Sequence, residues 1–110
     1  MKTVNILGTE YIIKIKSKKE DKLLEKCDGY CDQTSHNIVI TSEPEYNELN
    51  DFKSYQKKVL RHELIHAFLF ESGLAENFKH DEWGHDEIMI DWVAGQFPKI
   101  LSVFQELDCL

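Results

Sequence analysis

The residues with the clearest chemical potential form the motif His62-Glu63-Leu64-Ile65-His66. Two histidines four positions apart on an α-helix project from one face, one turn apart. Their imidazole nitrogens can then reach a single metal ion at about 2.0–2.1 Å each. Glu63 follows the first histidine directly, so its carboxylate would lie beside the ion, where it could take a proton from a metal-activated water. The motif therefore predicts one Zn²⁺ per chain and hydrolytic chemistry.

The sequence around the motif predicts a helix from about Asp51 to Ser72. Asn50 or Asp51 suits the N-cap, and Gly73 suits a left-handed terminating residue. An apolar stripe runs along this helix at i, i+3 and i+7 spacing, and the motif residues continue it (Phe52, Tyr55, Val59, Leu69 and Phe70). Titratable groups on a buried helix face are costly unless something satisfies them. This position favours a metal site over histidines without a ligand role, which so short a motif also produces by chance.

A third ligand is needed, because catalytic zinc usually has three protein ligands and a water molecule. Glu87 and Asp91 lie four residues apart on a second predicted helix, which begins at His85 or Asp86 and runs to about Phe97. Glu87 would complete the ligand set, and Asp91 would accept a hydrogen bond from a ligand histidine. His85 is the rival third ligand, since histidine is the commonest metal ligand. The alternative is a helix-start acid at Glu87 and a solvated Asp91.

The remaining segments predict an α+β fold. Segments rich in Val, Ile and Tyr flank short polar turns, which is typical of β-hairpins. The first hairpin has strands Thr3–Leu7 and Tyr11–Lys16 around Gly8-Thr9-Glu10, and the second has Gly29–Asp32 and His36–Thr41 around residues 33–35. Pro98 is expected to break or kink the second helix, which Lys99–Leu107 would resume. We expect a small twisted, antiparallel-rich sheet packed on the motif helix and on a second, C-terminal helix.

Size and composition limit the classes of partner. A chain of 110 residues fits one domain, residues 1–110, and its formal net charge of −7 disfavours nucleic-acid backbones and anionic membranes. The sequence shows no signal-peptide pattern and no apolar run near the roughly 18 residues of a membrane span, so we expect a cytoplasmic protein. Cys27, Cys31 and Cys109 are odd in number and include no CxxC pair, so we expect reduced thiols. A Cys27-x-x-x-Cys31 zinc site is disfavoured because no second pair follows.

The chain resembles the gluzincin metallopeptidases, because its motif is followed about twenty residues later by Glu87-x-x-x-Asp91. In its small size it resembles the minigluzincin and ImmA/IrrE-type domains found in phage and mobile elements. The resemblance covers roughly residues 51–101. It implies a zincin-like fold in which His62, His66 and Glu87 bind zinc, Glu63 is the base, and Asp91 orients a ligand histidine. It also implies a cleft lined by an edge strand. The sequence does not include the large C-terminal domain of full-length gluzincins.

The resemblance implies a peptidase acting on a specific cytosolic protein, whose chain would lie extended along a sheet edge such as Ile38–Thr41. The residue that would stabilise the oxyanion is not identified by the motif, and His85, His80 and Tyr30 are the candidates. Two other functions compete with this one. The first is a metal-binding regulatory or interaction module with a zincin fold and little catalysis, and the second is a metal-free interaction protein.

Overall fold

Four β-strands and two α-helices make up the computed structural model, which describes residues 2–43, 51–73 and 87–110. Within the last range the side chains of Glu87, Ile90, Asp91 and Ala94 are not described. The elements are β1 (Lys2–Ile6), β2 (Thr9–Lys16), β3 (Gly29–Asp32), β4 (Asn37–Thr41), α1 (Phe52–Glu71) and α2 (Glu87–Glu106), with a 3₁₀ turn at Lys22–Glu25. The fold is α+β, with a small sheet packed on helices, as the sequence predicts.

The sheet has the strand order β1-β2-β4-β3. The pairs β1–β2 and β3–β4 are antiparallel, which confirms both predicted hairpins, while β2 and β4 pair in parallel and join them. The predicted substrate edge at Ile38–Thr41 is wrong, because these residues belong to β4, which is paired on both sides. All four are buried, as expected for an interior strand. The edge strands of this sheet are β1 and β3.

The turn between β1 and β2 is shorter than predicted. Ile6 pairs with Thr9, so the loop consists of Leu7 and Gly8 alone. Both residues have positive φ, 51° and 100°, which is the backbone of a type I′ turn and matches the right-handed twist of the strands. The amide of Gly8 also donates to the side chain of Asn5 over 2.8 Å. Gly8, at the second position of the loop, therefore favours this turn, whereas Thr9 and Glu10 of the predicted loop belong to β2.

The core lies between the helices and one face of the sheet. Alternate residues of β1 and β2 face it, including Val4, Ile6, Tyr11 and Ile13. The helices contribute a larger apolar set, which consists of Leu60, Leu64, Ala67 and Phe68 from α1 and Ile100, Val103 and Phe104 from α2. The buried face of α1 thus holds the helix against the sheet, and with it the motif.

Helix α1 confirms its predicted bounds. Asp51 is the N-cap, and its carboxylate accepts from the amide of Ser54 over 3.1 Å. Ser72 is the C-cap, and Gly73 follows with a φ of 78°, in the left-handed region that favours glycine. Gln56 ties the helix to the sheet by donating to the carbonyl of Thr41 over 2.8 Å. This hydrogen bond places the first turns of α1 beside the end of β4.

Helix α2 runs without a break through Pro98, so the predicted break there is wrong, while a kink at Pro98 stays a prediction. A proline removes one hydrogen bond of the helix ladder. The turns that follow bury Ile100, Val103 and Phe104, and this packing offsets the loss. The predicted start at His85 or Asp86 lies outside the described residues. Neither α1 nor the described length of α2 is long and apolar enough to cross a membrane.

Candidate metal centre

The two histidines of the motif present their Nε2 atoms to each other at 3.2 Å, with ring planes 67° apart. Two nitrogens bound to one tetrahedral ion at about 2.0–2.1 Å would lie about 3.3 Å apart. The observed separation is therefore the one that a shared ion requires. It also fits a hydrogen bond in which one neutral ring donates its Nε2–H to the other. The geometry of His62 and His66 thus satisfies the first requirement of the predicted site.

Glu63 lies beside this pair. Its Oε1 atom is 3.8 Å from Nε2 of His62, and the carboxylate and both imidazole nitrogens lie within 4.8 Å of one another. The 3.8 Å separation exceeds the roughly 3.3 Å expected between ligands of a tetrahedral ion. The carboxylate therefore stands next to the ligand atoms and within reach of a water molecule between it and an ion. The role of Glu63 as a general base stays a prediction.

Burial makes Glu63 the unusual member of the group. The residue is 6 % exposed, and desolvation raises the pKa of its carboxyl, while the imidazoles of His66 and His62 act in the opposite direction. A buried carboxylate needs a compensating positive charge or hydrogen-bond donor. A divalent ion held by the histidines would supply that charge. The burial of Glu63 is relieved either by such a cation or by protonation of the carboxyl, which its raised pKa favours.

The histidine rings are exposed, with 67 % of the His62 side chain accessible. The prediction that all three motif residues continue the buried stripe is therefore wrong for His62 and His66. Successive residues are about 100° apart around a helix, so Glu63 turns inward with Leu64 while the histidines stand at the border with solvent. The argument from buried charge therefore applies to Glu63 alone. For His62 and His66, the support for a shared ion is the separation of their Nε2 atoms.

A cleft of about 310 Å³ opens beside the candidate centre. It lies between α1 and the segment that leads into β3. One wall is formed by Cys27, Asp28 and Gly29, and the other by Tyr55, Lys58, Val59, His62 and Glu63. The hydroxyl of Tyr55 donates to the carboxylate of Asp28 across the cleft. Of the residues that line the cleft, Gly29 belongs to the edge strand β3, at its first position.

The cysteines do not join the ligand atoms. Among the described residues, the group able to hold a metal consists of His62, Glu63 and His66. Cys27 lies at the cleft, where burial raises its pKa, and its thiol donates to the carbonyl of Leu23 at 3.4 Å. Burial also raises the pKa of Cys31 to about 12. Neither thiol belongs to that group.

The choice of third ligand is not decided by the described residues. Residues 87–91 are helical, so Glu87 and Asp91 lie four residues apart on α2 as predicted, but their side chains are not described. His80 and His85 lie outside the described residues. The ligand role of Glu87, the rival role of His85 and the orienting role of Asp91 therefore stay predictions.

Tyr30 is not brought to the histidines. Gly29 and Cys31 face α1, and the alternation of a strand turns Tyr30 to the opposite face of β3. Its hydroxyl donates to the carboxylate of Asp21, and burial together with this hydrogen bond raises the pKa of Tyr30 to about 12. The tyrosine that does line the cleft is Tyr55, which the sequence showed only as a residue of the apolar stripe.

The sequence reasoning missed three residues of the cleft, Asp28, Gly29 and Lys58. None of them carries a local motif. Lys58 could have been found, because it lies four residues before His62 and hence on the same side of α1. Asp28 and Gly29 reach the site only through the packing of β3 on α1, which no sequence spacing encodes.

Comparison with protein-family models, with curated proteins and with solved structures gave no match for this chain. The function must therefore be argued from the geometry of the site itself.

Proposed function

We propose that this chain is a zinc-dependent peptidase that hydrolyses a peptide bond in a specific cytosolic protein. The observation that carries the proposal is the juxtaposition of two Nε2 atoms 3.2 Å apart with a largely buried carboxylate 3.8 Å from one of them. A structural zinc site has no need of an additional carboxylate beside its ligands, whereas a hydrolytic site needs a base there. The order of the motif and Glu87-x-x-x-Asp91 supports a gluzincin-type ligand set, with Glu87 the third ligand and Asp91 orienting a histidine.

A zinc ion bound here would polarise the scissile carbonyl and make a water molecule acidic. The protein's own contribution begins with Glu63, which accepts a proton from the attacking water as its oxygen bonds to the carbonyl carbon. Glu63 then delivers that proton to the nitrogen of the breaking C–N bond, so the amine leaves neutral. In the metal-free protein burial raises the pKa of this carboxyl, and a bound cation would favour its ionised form, which is the form that acts as the base.

The substrate would lie extended along the free edge of β3, paired with it as an added strand. Gly29, the first residue of β3, lines the same cleft as His62 and Glu63, so a strand paired with this end of β3 would pass the candidate centre. A cytosolic peptidase must be selective, and pairing with one short edge demands an unfolded or extended segment in the substrate. We place the protein in the cytoplasm, with a protein or peptide as its partner and not a nucleic acid or a membrane.

Elemental analysis of purified protein tests the metal. We expect close to one zinc per chain, and near none in His66→Ala, because the ligands that remain hold zinc poorly. His36→Ala is the matched control, since this histidine lies in the turn before β4 and outside the candidate group. Stoichiometric zinc in a His62→Ala/His66→Ala double variant would contradict the assignment.

Peptide hydrolysis tests the chemistry. Zinc-loaded protein is incubated with a mixture of synthetic peptides of varied sequence and with denatured cytosolic extract, and new termini are read by mass spectrometry. Glu63→Gln keeps the shape of the side chain and removes the base, so it should retain zinc and lose at least about 10²-fold in cleavage rate. Cleavage by Glu63→Gln at the parental rate would refute the mechanism.

A metal-binding interaction module is the second function that the structure supports. The observation in its favour is the exposure of His62 and His66, because among the described residues no second wall covers these two side chains. Such a module would bind zinc and a peptide partner, and Glu63→Gln would match the parent in every binding assay. Measurable cleavage that depends on Glu63 would exclude it.

A further inference from the structure

We propose that Gly29 is a positioning residue, which sets the distance between the edge strand β3 and the base-bearing face of α1. The proposal rests on the proposed function, because the distance matters only if a substrate strand pairs with β3. It adds a role that neither the motif nor the ligand set requires.

The evidence is the close approach of the two elements at this glycine. A Cβ atom at position 29 would lie 2.8 Å from Cγ1 of Val59, 3.1 Å from the carbonyl oxygen of Val39 and 3.3 Å from Cγ2 of Ile40. Real Cβ atoms essentially never approach another atom within 3.0 Å. Valine is stiff at χ1, so its methyl cannot swing aside freely. A methyl group at position 29 would therefore require Val59 and β3 to shift relative to each other, and moving β3 away from α1 is the shift we expect.

The contact lies at a point where a shift would reach the candidate centre. Val59 precedes Glu63 by four residues, one turn along the same side of α1. Both residues line the cleft together with Gly29. Moving β3 away from Val59 would widen the cleft at its strand wall, while the two histidines, both on α1, would keep their mutual geometry.

A second contact joins α1 to the residue just before Gly29, because the hydroxyl of Tyr55 donates to the carboxylate of Asp28. Tyr55 lies one turn before Val59 on α1, so the bond and the close contact secure adjacent points of one wall. Together they present the β3 edge at a fixed distance from Glu63. This spacing would decide whether a strand paired with β3 also contacts the α1 wall of the cleft, so a wider cleft would weaken the binding of that strand.

The test compares two glycine substitutions. Gly29→Ala adds the clashing methyl, whereas Gly95→Ala on α2 is the matched control, because a Cβ there meets nothing within 4 Å. For peptides cleaved by the parent, Gly29→Ala should raise KM by at least about 10-fold, with kcat changed by no more than about 3-fold. Both variants should keep one zinc per chain. In Gly29→Ala/Val59→Ala, the removal of the nearest contact should restore most of the KM.

The result against the proposal is a Gly29→Ala protein that loses melting temperature but keeps the parental KM, since that outcome assigns the glycine to packing alone. Failure to restore KM in the double variant would also overturn it. Should the parent cleave no peptide, the proposed function fails by itself, and calorimetry of peptide binding to zinc-loaded Glu63→Gln decides the inference. At least about 10-fold weaker binding on adding Gly29→Ala supports it. Equal binding, or no binding by either protein, rejects it.

Discussion

The end of α1 is anchored to the sheet by a carboxylate, and Tyr11→Phe tests the strength of that anchor. Glu71 is the last residue of α1. It accepts from the hydroxyl of Tyr11 over 2.9 Å and from the hydroxyl of Thr9 over 3.0 Å, both on β2. Tyr11 is 0 % exposed, so its hydroxyl has little recourse to solvent. The substitution removes the hydroxyl and keeps the ring.

Hydrogen bonds to a charged group contribute about 1.5–3 kcal/mol to stability. Thr9 still binds Glu71 in the variant, so we expect a loss of about 2 kcal/mol, toward the lower end. The entropy of unfolding is about 2.1 cal/mol/K per residue, so for a chain of 110 residues the melting temperature should fall by about 9 °C. Zinc affinity should change little, because the proposed histidine ligands, His62 and His66, lie on α1 away from Glu71.

Urea unfolding followed by circular dichroism measures this loss as a lower midpoint with an unchanged slope. Tyr30→Phe is the matched control, since its hydroxyl also donates to a carboxylate, that of Asp21, but at a more open position. We expect a cost below about 1 kcal/mol there. A loss under about 0.5 kcal/mol for Tyr11→Phe, or equal losses in the two variants, would refute the anchoring role of the Glu71 carboxylate.

Two further predictions concern the candidate centre. Asp91→Ala should weaken zinc binding by about 10–100-fold without unfolding the protein, as measured by competition titration. Unchanged affinity would show that Asp91 does not orient a ligand histidine. Burial raises the pKa of Glu63 above its ordinary 4.5, so the folded, metal-free protein keeps a proton that the unfolded chain releases. Its stability should therefore fall as pH rises from about 4.5 through the raised pKa. Urea midpoints with a chelator should show this fall, and its persistence unchanged in Glu63→Gln would contradict it.

Local features of the sequence determined the helices, the hairpins and the spacing of the motif. Asp51 and Gly73 bound α1 because capping depends on a few neighbouring atoms. The hairpins follow from runs of strand-forming residues around a short turn. The four-residue spacing places His62 and His66 on one face of any helix, so their proximity needed no tertiary information.

Packing between distant segments decided the rest. The parallel pairing of β2 with β4 places β3 at the edge, and no local pattern distinguishes this order from one with β4 outside. The same packing buries Glu63 and leaves His62 in solvent, although the two are adjacent in the chain. It also brings Gly29 against Val59, thirty positions away in the sequence. Periodicity shows which face of an element is apolar, whereas the distance between two elements depends on the side chains that meet, and only the tertiary structure brings those together.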